Sequence, residues 1–150
     1  VSLKEIIDDK FVITGPLQSR KGKELNAIPK ASLTFWWPET ERQVRIQGDC
    51  LPIETELADQ YFENRNKASH IVSKLSKQGE EISNLDALTK QFKTEHNLDD
   101  SKPVIRPKDW SGFYIIPKRI ELMEFKESRF HLRELYTSES NTWTKVFLQP

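Results

Sequence analysis

Apolar and polar residues alternate along the first and last thirds of the chain, whereas the middle third spaces its apolar residues three and four apart. Alternation is the period of a half-buried strand, and the wider spacing is that of an amphipathic helix. The first third therefore predicts strands at 11–14, 31–37 and 43–53. A turn region at 16–23 and a helix-prone stretch at 23–28 separate the first two strands.

The middle third predicts helices over 54–78 and 84–96, followed by a proline-containing loop over 97–108. Alternation returns after that loop, with turns at 117–118 and 138–141. The last third thus predicts four more strands, at 112–116, 119–125, 130–136 and 142–148.

The order of strands, helices and strands again does not alternate strand with helix. It favours an α+β fold with an antiparallel β-barrel over a doubly wound parallel sheet. Gly48, inside the third strand, predicts a β-bulge. A chain of 150 residues is long enough for one core and short for two, so residues 1–150 are predicted to form a single domain. Because Val1 is not an initiator methionine, we expect the natural chain to carry a segment before it.

Charge and cysteine content narrow the classes of partner. Lys plus Arg equals Asp plus Glu, at 23 each, so the balance favours neither nucleic acid nor an acidic membrane as partner. The lone Cys50 fits a reducing compartment, and we expect a cytoplasmic protein. No apolar run approaches the roughly 20 residues that a membrane-spanning helix needs.

Common catalytic motifs are absent from the sequence. The five glycines form neither GxGxxG nor GxxxxGK[ST], and there is no GxSxG. The three histidines lie far apart and form no HExxH or HxH pattern, so no metal site is predicted. Any chemistry must come from less local combinations of residues.

The first such combination is the basic run from Ser19 to Lys23, which includes Arg20 and Lys21. Two adjacent cations between a strand and a helix can converge with backbone N–H groups on a phosphate. The same run is also typical of an ordinary solvated turn.

A second combination is Tyr61, Arg65 and Ser69, spaced four residues apart. On one continuous helix these side chains share a face and offer a guanidinium with two hydroxyls, a set that suits a phosphate monoester. On spacing alone, the pattern favours an exposed polar stripe with a half-buried tyrosine.

The third combination is Arg129, His131 and Arg133, which alternate with Phe130 and Leu132. On a strand, the three polar side chains share one face and the apolar pair enters the core. Two cations beside an imidazole suit a catalytic or binding surface, although a solvated barrel strand also fits this pattern.

Motifs along the whole chain are similar to those of the pyridoxine 5′-phosphate oxidase family. They are Ser19-Arg-Lys-Gly-Lys-Glu-Leu25, Arg42-Gln-Val-Arg45, Tyr61-Phe-x-x-Arg65 with Ser69, Ser76-Lys-Gln78, Trp110-Ser-Gly-Phe113, Arg119-Ile-Glu121, Arg129-Phe-His-Leu-Arg133 and Phe147-Leu-Gln-Pro150. The resemblance implies an FMN-binding split barrel that forms a homodimer, with the flavin at the subunit interface. It also implies oxidation of pyridoxine or pyridoxamine 5′-phosphate, with hydride transfer from C4′ to the flavin and reoxidation by dioxygen to give hydrogen peroxide.

The resemblance assigns roles by position. Catalysis falls to Arg129 and His131. The substrate-binding positions are Lys4, Tyr61, Arg65, Ser69, Arg129 and His131. The cofactor-binding positions are Lys4, Thr14, Gly15, Arg20, Lys21, Gln43, Gln78, Gly79, Met123 and Arg133.

Several positions depart from the usual family pattern. Thr14-Gly15 stands in place of Tyr-Thr, Gly79-Glu80 in place of Ser-Ser, and Met123 in place of a tryptophan. Two alternatives therefore stay open: a catalytically silent relative that binds FMN or pyridoxal phosphate, and a flavin oxidase that acts on another aromatic substrate.

Overall fold

Seven strands and four α-helices form the part of the chain that the computed structural model describes, residues 1–98, 105–140 and 142–150. The strands are β1 (Leu3–Ile7), β2 (Lys10–Pro16), β3 (Lys30–Trp37), β4 (Arg42–Pro52), β5 (Trp110–Glu124), β6 (Leu132–Glu139) and β7 (Thr142–Leu148). The helices are α1 (Arg20–Ala27), α2 (Thr55–Glu63), α3 (Lys67–Leu75) and α4 (Leu85–His96). The α+β class is confirmed, while β1 is a strand that the sequence pattern did not predict.

One sheet holds all seven strands. Its order is β1-β2-β5-β4-β3, and β6 pairs with both β5 and β7. The pairs β3–β4, β5–β6 and β6–β7 are antiparallel. Strand β5 is the longest, at 15 residues, and the strands that border it carry several of the predicted site residues.

Strand β5 continues through Pro117, so the turn predicted at 117–118 is wrong. Strand β4 pairs with β3 in continuous register from Lys30↔Asp49 to Trp37↔Arg42, so the bulge predicted at Gly48 is absent from this pair. A Cβ on Gly48 would collide with the backbone at Ile116 and lie 3.1 Å from the Cα of Pro117. Glycine is there to let two strands approach closely, which also accommodates the proline.

The described chain contains two compact units. The first comprises residues 1–4, 13–28 and the described part of 52–113, with all four helices and a core that includes Phe62, Ile71 and Trp110. The second comprises residues 5–12, 29–51 and the described part of 114–150, with a core that includes Ile46 and Ile115. The single domain over residues 1–150 stays a prediction.

Helix α1 begins three residues before the predicted helix-prone stretch, so the basic run lies on its first turn rather than in a loop. Ser19 is the N-cap: its hydroxyl accepts from the Gly22 N–H at 3.3 Å and donates to the Pro16 carbonyl at 2.7 Å. A serine cap satisfies an N–H group that otherwise lacks a partner.

The continuous helix predicted over 54–78 is instead two helices. Helix α2 ends at Glu63, and Asn66 caps α3 by accepting the Ser69 N–H at 2.8 Å. The buried ring of His70 donates from Nε2 to the Phe62 carbonyl at 2.6 Å, which fixes α3 against α2 across the turn. Apolar spacing continues through this break, so the helical period alone could not reveal it.

Helix α4 follows the predicted bounds, with Asn84 as its cap. Residues 99–104 of the predicted loop and residue 141 of the predicted turn lie outside the described residues. Strand β6 begins at Leu132, two residues later than predicted, and β7 agrees with its prediction.

Among the described residues, no helix has the length and apolar character that crossing a membrane requires.

Candidate active site

The first turn of α1 presents two cations in different environments. The exposed Arg20 pairs through Nε with Glu24 at 2.8 Å, and this hydrogen bond raises the pKa of Arg20. Lys21 is half-buried, and its Nζ would lie only 3.2 Å from a Cβ on Gly15. Within the described residues Lys21 has no carboxylate partner, so its ammonium group can meet an anionic ligand.

Thr14, next to Gly15, is buried, and its hydroxyl lacks a hydrogen-bond partner among the described residues. Gly112 contributes to this burial, because a Cβ there would collide with the Ile13 carbonyl and lie 3.1 Å from Cγ2 of Thr14. Buried hydroxyls are normally paired, so this unpaired one is an exception among the described residues. Thr14 and Gly15 are adjacent on β2 and their side-chain directions alternate, so it is the absence of a side chain at Gly15 that leaves space for Lys21. The ammonium group of Lys21 fits the phosphate-bearing part of a cofactor.

Three other predicted cofactor residues of the first unit are exposed. Lys4 lies on β1, and Gln78 and Gly79 lie in the segment after α3. Gly79 has a φ of +87°, a conformation that side-chain-bearing residues rarely adopt. Glu80, where the sequence places an unusual negative charge, lies 3.7 Å from the Lys77 ammonium group.

Arg65 occupies the turn between α2 and α3. Its guanidinium lies 4.9 Å from the centre of the Trp110 ring, and one terminal nitrogen donates to the Ser69 carbonyl and the Ser73 hydroxyl, both at 3.3 Å. Burial lowers the pKa of Arg65, and its Nε has no partner among the described residues. The side chain is thus fixed in place, with its Nε donor unused.

Tyr61, Arg65 and Ser69 do not share a face of one helix, because the break at Asn64 divides them. Tyr61 is half-buried near the end of α2, and Ser69 lies on the first turn of α3. The structure joins Arg65 to Ser69 through a backbone carbonyl rather than through the serine hydroxyl.

Trp110 itself is held by another arginine. Arg106 donates from Nε to Asp59 on α2 at 2.6 Å and from a terminal nitrogen to the Trp110 carbonyl at 2.5 Å. Sequence reasoning missed Ser73 and Trp110 as partners of Arg65. The Ser69–Ser73 spacing could have indicated Ser73, but no local pattern links Arg65 to Trp110.

Arg129 and His131 lie in a loop before β6, so their predicted strand placement is wrong. Arg129 has a φ of +66°, and its N–H donates to the Lys126 carbonyl at 3.0 Å. The His131 N–H in turn donates to the Arg129 carbonyl at 3.0 Å. A left-handed arginine is uncommon and persists only where neighbouring contacts hold it.

The loop also fixes the imidazole of His131. The Lys126 N–H donates to Nδ1 at 3.0 Å, so the neutral ring carries its proton on Nε2. Phe125 packs against the ring at 4.9 Å between centroids. Arg129 and His131 line one pocket of about 290 Å³, together with Glu41 and Phe125.

Phe130 and Leu132 do not enter the core as predicted. Phe130 is 76% exposed and Leu132 is 42% exposed. Since Arg129 to His131 form a loop, strand alternation does not apply to them; of residues 129–133, only Leu132 and Arg133 lie on β6.

Three predicted cofactor residues of the second unit share one face of adjacent strands. Met123 on β5 lies opposite Arg133 on β6, and Arg133 also reaches the buried carboxylate of Glu121. Arg45 on β4 contacts the same carboxylate at 3.5 Å, so Gln43, two residues before Arg45, lies on this face as well. We call Gln43, Arg45, Glu121, Met123 and Arg133 the β4–β6 face.

Neighbouring residues of the same strands form a groove of about 560 Å³. Gln43 and Met123 contribute to its wall, along with Val44, Leu122 and Leu132. The wall also carries the charged side chains of Arg42, Glu124 and Glu134, and apolar surface combined with a few polar groups is typical of a small-molecule site. Within the described residues there is no cluster of three or more metal-ligating side chains.

The structure defines an α+β protein with one seven-stranded sheet, and solved structures that share its fold place it in the split-barrel class. Two family matches agree with it, "Pyridoxamine 5'-phosphate oxidase" over residues 1–99 and "Pyridoxine 5'-phosphate oxidase C-terminal dimerisation region" over residues 110–150. The chain belongs to the pyridoxine/pyridoxamine 5′-phosphate oxidase family, a family of FMN-dependent oxidases.

Relatives and solved structures support this assignment. Pyridoxine/pyridoxamine 5'-phosphate oxidases of Porphyromonas gingivalis and Thermosynechococcus vestitus are 38% and 37% identical over all of this chain and 71% of their own length. PhzG from Burkholderia lata 383, solved with tetrahydrophenazine-1-carboxylic acid, is 29% identical with a TM-score of 0.89, over 99% of this chain and 72% of its own. A pyridoxamine 5'-phosphate oxidase-related, FMN binding protein from Nostoc punctiforme, 15% identical, shares the fold with a TM-score of 0.77, over 99% of this chain and 78% of its own.

Proposed function

We propose that the protein binds FMN and oxidises pyridoxine or pyridoxamine 5′-phosphate to pyridoxal 5′-phosphate, with dioxygen as the acceptor. The observation that carries the proposal is the loop pocket, in which Arg129 and a tautomer-fixed His131 lie together. When bound, FMN supplies the acceptor for the C4′ hydride, and dioxygen then takes up both electrons with two protons to give hydrogen peroxide. With pyridoxamine 5′-phosphate, hydrolysis also releases ammonia.

Lys4, Tyr61, Arg65 and Ser69 bind the substrate phosphate in this proposal. Arg65 supports this role because its hydrogen bonds to Ser69 and Ser73 and its contact with the Trp110 ring fix the plane of its guanidinium. A fixed guanidinium loses little conformational entropy when it binds a phosphate, and its hydrogen bonds are charge-assisted.

Arg129 and His131 orient the reacting end of the substrate. The Nε2–H of His131 donates to the hydroxyl or amine at C4′, and Arg129 adds positive charge at the same pocket. Their contribution is alignment, which can account for a large part of an enzymatic rate.

The cofactor residues divide by chemistry. Lys4, Arg20 and Lys21 bind the FMN phosphate, and Thr14 and Gly15 at the end of β2 belong to the same part of the site, where Gly15 leaves space for Lys21. The remaining positions, Gln43, Gln78, Gly79, Met123 and Arg133, contact the flavin. The match of residues 110–150 to a dimerisation region supports a homodimer, and in our proposal the flavin lies at the subunit interface. We also place the reaction in the cytoplasm, which the free, buried Cys50 supports.

The test is a titration of the purified protein with FMN, followed by pyridoxamine 5′-phosphate under air while aldehyde product and peroxide are recorded. Flavin binding with one peroxide per aldehyde supports the proposal. Flavin binding without either product contradicts the oxidase and favours the silent relative. Absence of flavin binding contradicts the proposal as a whole.

A second candidate is a flavin oxidase that acts on another aromatic substrate. The exposed Phe130 and the groove-lining Leu132 favour it, because both add apolar surface near the proposed reacting groups. It predicts poor turnover of B6 phosphates and an activity on a reduced polycyclic aromatic acid that is indifferent to Arg65→Ala.

A further inference from the structure

The β4–β6 face holds a buried carboxylate that no role above uses. Glu121 is 6% exposed, and its two oxygens contact different arginines. Oε1 accepts from Nε of Arg133 at 2.8 Å and lies 2.6 Å from a terminal nitrogen of the same guanidinium, whereas Oε2 lies 3.5 Å from Arg45. A carboxylate buried to this degree is normally paired, and here it is paired on both sides.

Strand geometry explains why Glu121 can reach Arg133. The residue directly opposite Arg133 is Met123, and Glu121 precedes Met123 by two positions. Residues two apart on a strand share a face, so Glu121 and Arg133 are diagonal neighbours across the β5–β6 pair. Leu135, opposite Glu121, is buried as well.

The other edge of the Arg133 guanidinium is held as well. A terminal nitrogen donates to the Gln149 carbonyl at 3.0 Å, just after β7. An arginine has five N–H donors in a planar fork, so these contacts fix its plane and still leave donors for a ligand. A salt bridge alone would not require this three-point arrangement.

We infer that Glu121 is a positioning residue, which orients the Arg133 guanidinium toward the flavin. The inference rests on the proposed function, because it takes Arg133 as an FMN-contacting residue. Without Glu121, the arginine keeps its charge but loses the partner that sets its direction. In a binding site, hydrogen-bond donors that are held in the right direction contribute more to ligand binding than an unoriented charge does.

The experiment compares FMN dissociation constants of the wild-type protein, Glu121→Gln, Arg133→Met and the double variant, from quenching of flavin fluorescence. Loss of the outer partner of a ligand-orienting residue costs ten- to hundredfold in affinity at metal sites, and we expect about tenfold weaker FMN binding for Glu121→Gln. In the Arg133→Met background, Glu121→Gln should add little further loss, since its effect acts through Arg133. The matched control is Glu95→Gln on α4, which removes the carboxylate that pairs with Lys74 on α3.

Each outcome decides between roles. If Glu121→Gln binds FMN as tightly as the wild-type protein and only its melting temperature is lower, Glu121 is purely structural. That result overturns this inference and leaves the proposed function standing. Equal losses in both backgrounds also overturn it. No FMN binding by the wild-type protein overturns the proposed function with it. If Glu121→Gln does not fold, Glu121→Asp, which keeps the charge but shortens the reach, should bind FMN with intermediate affinity, and wild-type affinity would count against positioning.

Discussion

The two arginines proposed to contact the substrate are held in place by different means. Arg65 is half-buried, lies over the Trp110 ring and donates to the Ser69 carbonyl and the Ser73 hydroxyl. Arg129 is exposed, and what is fixed there is the backbone, through a left-handed φ and a hydrogen bond to the Lys126 carbonyl.

At Arg65 the same side chain contributes to both stability and substrate binding, whereas at Arg129 stability depends on the backbone and substrate binding on the side chain. Side-chain packing holds Arg65, so its removal should cost stability as well as binding. Backbone contacts hold the Arg129 loop, so its side chain can be removed with little effect on folding. The same residue type can thus be a structural element in one region and purely functional in another.

The largest effect should come from Arg129→Ala. We expect turnover to fall about a hundredfold, because the reacting end of the substrate loses its alignment. The free energy of unfolding should change by no more than about 0.5 kcal/mol, as for exposed positions generally. Steady-state kinetics and urea unfolding test both, with Lys90→Ala on the exposed face of α4 as control. A stability loss in proportion to the activity loss would remove the contrast with Arg65.

Arg65→Ala should lower kcat/KM almost as far and also destabilise the fold. We expect about 1–2 kcal/mol of lost stability, because the cation–π contact with Trp110 and the packed stem both disappear. Arg65→Met, which restores the stem without the charge, should recover part of the stability and none of the phosphate affinity. Unchanged unfolding of the alanine variant would place Arg65 in the same class as Arg129.

His131→Asn tests the other proposed substrate residue of the Arg129 loop. Asparagine can still accept the Lys126 N–H but lacks the outward Nε2–H of the imidazole. We expect about tenfold slower turnover, the value of one lost hydrogen bond to the substrate, with an unchanged melting temperature. Full activity of this variant would show that Nε2–H does not contact the substrate.

The smallest effect should come from the helix caps. Asn66→Ala and Asn84→Ala each remove an acceptor from the first turn of a helix, so each should cost about 1 kcal/mol of stability. Only α3 carries Ser69, so Asn66→Ala alone should raise KM, by about threefold, as that turn loosens. Equal KM values for the two variants would show that Ser69 does not bind the substrate phosphate.

Local pattern predicted most of the elements and few of their interruptions. Helix α4 and strands β2, β3, β4 and β7 lie close to their predicted bounds, because period and cap residues are properties of neighbours in sequence. The break after Glu63 and the loop before Leu132 were missed, since apolar spacing continues through both. Both interruptions carry proposed substrate residues, Arg65 in the first and Arg129 with His131 in the second.

The sequence by itself determined the α+β class, most strands and helices, and the motifs that place the chain in its family. Tertiary structure decided that β5 passes through Pro117, that Trp110 supports Arg65, and that Glu121 holds Arg133. The physical reason is distance along the chain. Periodicity and capping act within a few residues, whereas close backbone approach, ring stacking and buried ion pairs join residues that only the folded sheet and helices bring together.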